Sequence, residues 1–200
     1  MPAARESLLD AACTSLARRP WPAVRMVDVA ALAGVSRQTL YNEFGSKDGL
    51  ARSLVRRETD RYLAGVERAL AEGGLPAAAD WTVTRAGENA LLRAVLTGCW
   101  TEGLPAPAPT APPSTSLVPA QRRADGPLPT PAEVIALVRD RAVAVLAPAT
   151  STAGARAALA RDCEVALRLA LSCLLAPAGE CGTAGLVREA VAPIPYGVGW

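Results

Sequence analysis

The stretch VAALAGVSRQTLYNEF, Val29 to Phe44, decides how the rest of the chain is read. Gly34 divides it. The residues from Val27 to Ala33 predict a short helix, and Gly34 supplies a residue free to take positive φ at its end. Ser36 is a good N-cap for a following helix, because its hydroxyl accepts from the free amides of a first turn. That helix is expected over Arg37 to Phe44, with Gly45 closing it. Within it Leu40 and Phe44 recur at i and i+4 and face inward, with Val29 and Val35 beneath them. Arg37, Gln38, Tyr41 and Asn42 are left outward, with Thr39 flanking. Every outward side chain can form hydrogen bonds, and one is cationic.

Such a face suits a helix in a DNA major groove. Arginine can bond guanine O6 and N7 together, glutamine can pair with adenine, and a threonine methyl can pack on the thymine methyl. The Tyr41 hydroxyl and the Lys47 ammonium suit phosphate oxygens, which fix register without reading sequence. Small Ala30 and Gly34 are expected to let the two helices cross closely. The pattern by itself also fits an ordinary helical hairpin with a solvated polar face.

Working outward, Ser46 is expected to cap a fourth helix, with Asp48 in its first turn where negative charge suits the dipole. Leu50, Leu54, Val55, Tyr62, Leu63, Val66 and Leu70 carry that helix to about Glu72, and Gly73, Gly74 and Pro76 end it. Upstream, Leu8, Leu9, Ala12 and Leu16 predict a first helix over Arg5 to Arg19, stopped by Pro20 and Pro22. Trp21 between the prolines reads as a buried plug. Residues 1–57 hold nine Lys/Arg against five Asp/Glu (+4), and residues 58–200 hold twelve against fourteen (−2). A basic N-terminal third suits a module that faces a polyanion.

Downstream, Ala77 to Thr97 reads as one helix. Leu104 to Pro131 holds nine of the chain's seventeen prolines, so a long loop with polyproline segments is expected there, interrupted by a short helix around Leu117 to Arg123. Further helices are expected over Pro131 to Leu146 with Thr130 as N-cap, over Thr152 to Leu175, and over Thr183 to Val191. No strand pattern occurs, and the chain reads as all-α.

Half of the residues are hydrophobic and a fifth are charged, as in an ordinary globular protein. The five cysteines form no CxxC pair and there is no histidine. That composition, with no signal-peptide pattern, suggests reduced thiols in the cytoplasm, with Cys13 and Cys163 acting as small hydrophobes. No metal site, cofactor or membrane span is expected, a redox or metal sensor being the lesser alternative for the cysteines. With no paired-carboxylate motif and no phosphate loop, an enzyme is not expected either.

Asp28-Val29-Ala30-Ala31-Leu32-Ala33-Gly34-Val35-Ser36, Thr39-Leu40-Tyr41, Phe44, Ser46-Lys47-Asp48 and Leu50 resemble the DNA-binding region of the tetracycline-repressor (TetR) family. The likeness covers roughly residues 5–60. It implies a helix-turn-helix DNA-binding domain over 1–48 and an all-helical effector-binding and dimerisation domain over 49–200, with the Pro-rich loop at about 104–131. It further implies a cytoplasmic homodimer that binds a palindromic double-stranded DNA operator and is released by a small-molecule effector. By position, Arg37, Gln38, Thr39, Tyr41 and Lys47 become the DNA contacts, with Ser36 and Asn42 beside them.

Two positions depart from the family pattern. Arg25 stands where a threonine usually caps the second helix; it can pair with phosphate but cannot cap, at a cost of about 1 kcal/mol. Glu43 stands where histidine is frequent, and it either reads a cytosine amine or turns toward a nearby arginine; the second is favoured. A family member that has weak or lost DNA binding and serves as a ligand-binding or interaction module is the alternative. The segments from Leu91 to Gly98 and from Val165 to Ser172 are similar to regulatory domains of actinobacterial members. They imply an effector pocket, for which Trp81, Cys99, Trp100 and Leu104 are candidates although they also suit a core. They also imply a dimer interface of Leu159, Cys163, Ala166, Leu167, Ala170, Leu171, Leu174 and Val187, unless that face is covered within one subunit.

Overall fold

The structure is a computed structural model that describes residues 2–106 and 128–191. Helices dominate, and no strand occurs among the described residues. In chain order they are α1 (Pro2–Arg18), a 3-10 turn (Trp21–Ala23), α2 (Met26–Leu32), α3 (Arg37–Phe44), α4 (Lys47–Glu88), α5 (Ala90–Thr97), α6 (Pro131–Leu146), α7 (Ala153–Cys173) and α8 (Gly182–Val191). The helix expected over Leu117 to Arg123 lies outside the described residues, as does most of the Pro-rich segment.

The Gly73–Gly74 stop is observed as a break inside α4. Gly73 has φ −151° and ψ 19°, and Gly74 has φ 66° and ψ −154°, a conformation almost confined to glycine. Pro76 then falls in the first turn of the resumed helix, where its missing amide costs nothing. The single helix expected over Ala77 to Thr97 is instead interrupted at Asn89. Among the described residues no helix is long and apolar enough to cross a membrane.

The chain forms two compact units. One comprises residues 1–60 and 90–130, the other 61–89 and 131–200. In the first, α1, α2 and α3 pack on one another around Leu8, Leu9, Ala12, Val29, Leu40 and Phe44, joined by Leu50 and Leu54 of α4, all at most 3% exposed. Each of the leucine, valine and phenylalanine side chains contributes about 1.5–3 kcal/mol by leaving water. A polar cluster sits beside them. The Arg57 guanidinium, 8% exposed, donates to Asp10 Oδ1 (2.8 Å), to the Leu9 carbonyl oxygen (3.0 Å) and to Cys13 Sγ (3.1 Å), and stands 3.7 Å from Glu58 Oε1. Trp21 is buried as expected, and its amide donates to the Gly103 carbonyl oxygen at 2.8 Å.

In the second unit α7 packs on both α6 and α8. Thr152 caps α7 by accepting from the Ala155 amide at 3.2 Å. Val134, Val138 and Ala142 of α6 are buried, as are Cys163, Ala166, Leu167 and Ala170 of α7 and Val187 of α8. Tyr62 is buried too, and its hydroxyl bonds Thr82 Oγ1 at 3.0 Å.

Candidate nucleic-acid interface

The turn between α2 and α3 is built from backbone bonds that need Gly34. Its φ is +68°, its amide donates to the Ala31 carbonyl oxygen, and the Val35 amide reaches back to that of Ala30 at 3.1 Å. This is the Schellman closure of a helix. A Cβ at Gly34 would meet nothing within 4 Å, so the glycine serves the backbone angle and not the close helix crossing expected of it. Ser36 then caps α3: its Oγ accepts from the Thr39 amide at 3.0 Å and lies 2.9 Å from Thr39 Oγ1. Arg25 precedes α2 with no side-chain cap bond, as its chemistry requires.

At the far end of α3, Ser46 Oγ accepts from the Gly49 amide at 3.1 Å and so caps α4. Gly49 is a residue that sequence pattern missed. A Cβ there would run into the Phe44 carbonyl oxygen, so only glycine lets α4 start this close to the end of α3. The signal for it was available, since a glycine in the first turn of a helix, where no positive φ is needed, points to close approach.

The partition of α3 is as expected. Leu40 and Phe44 are buried at 0% and 3%, while Arg37, Gln38, Tyr41 and Asn42 are exposed and Thr39 is half-buried. Val29 is fully buried and Val35 half-buried. Gln38 Nε2 donates to Asn42 Oδ1 at 2.8 Å along this outer face. Ser36 is exposed beside it with its hydroxyl engaged in the cap.

Both departures from the family pattern have partners. Glu43 turns to Arg5 of α1, whose Nη1 lies 3.7 Å from Glu43 Oε2. Asp28 Oδ2 accepts from both Arg19 Nη1 (3.0 Å) and Arg25 Nε (3.3 Å). Arg25 remains 75% exposed in its side chain, so two guanidinium groups share one carboxylate at the start of α2 and leave a positive excess. Sequence spacing gives no hint of Arg19, because nine positions and two prolines separate it from Asp28.

Lys47 is half-buried. Its Nζ donates to the Pro22 carbonyl oxygen at 3.1 Å and stands 5.3 Å from the centre of the Trp21 ring. Partial burial pulls its pKa down, opposed by the charge of Asp48. Trp21 is therefore both a plug and the face on which the Lys47 ammonium rests.

The pocket candidates are divided between the two units. Trp81 belongs to one unit, and Cys99, Trp100 and Leu104 to the other. Cys99 is exposed, and Trp81, Trp100 and Leu104 are half-buried. The Trp81 indole lies against Gly65, where any Cβ would overlap the ring. Arg68 and Arg85 stand 5.9 and 5.5 Å from its centre, and its Nε1 is buried without a hydrogen-bond partner.

Five of the eight residues expected at a dimer interface, Cys163, Ala166, Leu167, Ala170 and Val187, are already buried inside the single chain. They have no area left for a second copy, being covered within the chain, where α7 packs on both α6 and α8. Leu159, Leu171 and Leu174 keep part of their surface, and Val165 and Leu175 are 43% and 84% exposed.

Residues 8–54 match the family described as bacterial regulatory proteins, tetR family. A 66-residue segment is 48% identical to the HTH-type transcriptional regulator AlkX of Mycobacterium tuberculosis; it covers 33% of this chain and 31% of that protein. The match thus spans about a third of that relative's length. The crystal structure of a TetR transcriptional regulator from Rhodococcus sp. RHA1 has the same fold, with a TM-score of 0.50, 19% identity, and coverage of 99% of this chain and 98% of that one. The TetR family repressor AlkX from Dietzia sp. strain DQ12-45-1b, implicated in biodegradation of n-alkanes, aligns over 94% of this chain and 92% of that one, at a TM-score of 0.47 and 22% identity.

Proposed function

We propose, from the match of residues 8–54 to the tetR family of bacterial regulatory proteins, that this chain is a member of that family and a homodimeric, ligand-responsive repressor. It is a transcription regulator and not an enzyme. A copy of α3 from each subunit enters successive major grooves of a palindromic operator, roughly 34–36 Å apart. A small-molecule effector with greater affinity for the DNA-free conformation releases it. The effector is apolar or weakly polar, in keeping with an aliphatic domain of few charges. The protein acts in the cytoplasm, on double-stranded DNA and its own copy, with no cofactor.

One observation carries this reading most: the exposed row of Arg37, Gln38, Tyr41 and Asn42 on a helix whose other side is buried through Leu40 and Phe44. Arg37, Gln38 and Asn42 supply base-edge chemistry. Tyr41, Thr39, Arg25 and Lys47 supply phosphate contacts, Lys47 after leaving the Pro22 carbonyl, while Ser36 holds the helix start. The subunit interface is proposed on the surface that α7 and α8 leave uncovered, around Val165, Leu171, Leu174 and Leu175. A module without DNA binding rested on Glu43 and Arg25, and both are supported by charge partners here.

The test is fluorescence anisotropy with a duplex from the chain's own upstream region against an unrelated duplex of equal length. Tighter binding to the first, with a steep fall of log K against log salt, is expected. Equal affinity for both duplexes would leave only a non-specific polyanion binder. Sedimentation equilibrium reads the subunit count directly.

A further inference from the structure

Arg5 connects three helices at the end of the DNA-facing one. From α1 its Nη2 donates to Ser53 Oγ of α4 at 2.9 Å, and its Nη1 lies 3.4 Å from the Glu43 carbonyl oxygen and 3.7 Å from Glu43 Oε2. The guanidinium also stands 4.7 Å from the centre of the Phe44 ring. The last turn of α3 holds no basic residue of its own, although a cation is favoured there by the exposed carbonyls and the helix dipole. Arg5 supplies that cation across 38 residues of sequence.

We propose that Arg5 is a positioning residue for DNA binding, which fixes the C-terminal end of α3 against α1 and α4 and offsets the Glu43 carboxylate on the helix that meets DNA. Glu43 is the one acidic residue of α3, and a carboxylate on a helix approaching phosphates raises the cost of docking on any sequence. The fork geometry of arginine matters, because one planar group serves a carboxylate, a carbonyl and a hydroxyl together, which an ammonium point charge does not. The charge and the aim of the helix are thus set by a residue that lies outside its sequence. This rests on the DNA-binding reading above.

The experiment compares wild type, R5M, R5K, E43Q and R5M/E43Q in anisotropy titrations on the own-upstream duplex and an unrelated one. Hydrogen exchange of the α3 amides is measured without DNA. R5M is expected to bind both duplexes about three- to tenfold more weakly and to exchange faster in α3, with its far-UV spectrum retained. R5K falls between R5M and wild type. E43Q gains more affinity in the R5M background than in wild type, a coupling that a purely structural role for Arg5 does not predict. R5M at wild-type affinity, or a loss that E43Q leaves untouched, overturns the proposal. Wild type that binds neither duplex overturns the underlying reading instead, and that result stands before any variant is compared.

Discussion

Gln38 Nε2 donates to Asn42 Oδ1 across 2.8 Å, one turn apart on the exposed face of α3. The bond leaves Gln38 Oε1 and the Asn42 amide protons available to a ligand, an acceptor and a donor held as a pair. Adenine presents the complementary acceptor and donor in the major groove. Removing either amide releases the other, so the two should not act independently. Gln38→Ala and Asn42→Ala are each expected to cost about 1–3 kcal/mol on the preferred operator. The double variant should lose less than the sum of the two. Tyr41→Ala, by contrast, should weaken all duplexes alike. A selection of bound sequences for each variant checks this; identical preferences throughout would remove the base-reading role.

Asp28 carries a prediction of opposite sign from the usual one for a helix-start carboxylate. It lies in the first turn of α2, where its charge contributes about 0.3–1 kcal/mol, yet it also neutralises part of Arg19 and Arg25. Asp28→Asn should therefore lower stability slightly while binding any duplex more tightly, with a steeper salt slope. Arg25→Ala should make the slope shallower, by about 0.9 for a single phosphate no longer neutralised. Paired urea and salt titrations separate the effects. Unchanged slopes for both variants would mean that neither arginine meets DNA.

Two glycines that look alike in sequence should respond differently to alanine. At Gly34 the penalty is the positive φ alone, about 1–2 kcal/mol, since the space around it is open. At Gly49 the new methyl meets the Phe44 carbonyl oxygen, so α4 must move away from α3. The expected cost is about 2–3 kcal/mol, with weakened DNA affinity because the end of α3 moves too. Urea unfolding ranks them, and a Gly49→Ala variant as stable as wild type would show that this approach is not tight.

What was legible in the sequence is what neighbours decide. The caps at Ser36 and Ser46, the turn at Gly34, the break at Gly73–Gly74 and the inward pair Leu40 and Phe44 each depend on residues within a turn of one another. Glu43 turning to an arginine was also readable from charge, but which arginine was not, because Arg5 is 38 positions away. The Arg57 cluster was invisible for the same reason: apart from Glu58 its partners lie on α1, and an arginine inside the charged run Arg56-Arg57-Glu58 reads as a solvated side chain. The α7 face shows the remaining limit. Its apolar pattern says that the surface is covered, and only the folded chain shows that most of the cover comes from the same chain.

Cys163 supplies a pH prediction. Burial pushes its thiol up to about 11 from an ordinary 9.0, with the Arg139 charge opposing and Glu164 adding. Below pH 9 the thiol is neutral in folded and unfolded chains, and its contribution to stability is complete. Between pH 9 and 11 the unfolded chain ionises while the folded one does not, so stability falls by roughly 1.4 kcal/mol per pH unit and levels off above 11. Burial raises the Tyr62 phenol in the same direction, with the Cys163 charge adding the smallest share; the burial part is common to wild type and Cys163→Ala and cancels in their difference. The stability of wild type minus that of Cys163→Ala is therefore expected to shrink by roughly 2 kcal/mol from about pH 8.5 to about pH 11. Thiol labelling at about pH 8 gives an independent check: Cys99 and Cys181 are exposed and should react at once, whereas Cys163 and Cys173 are buried and should wait for the chain to open. A stability difference that stays constant with pH, or Cys163 labelling as fast as Cys99, would show that the thiol is not sealed in the helix packing.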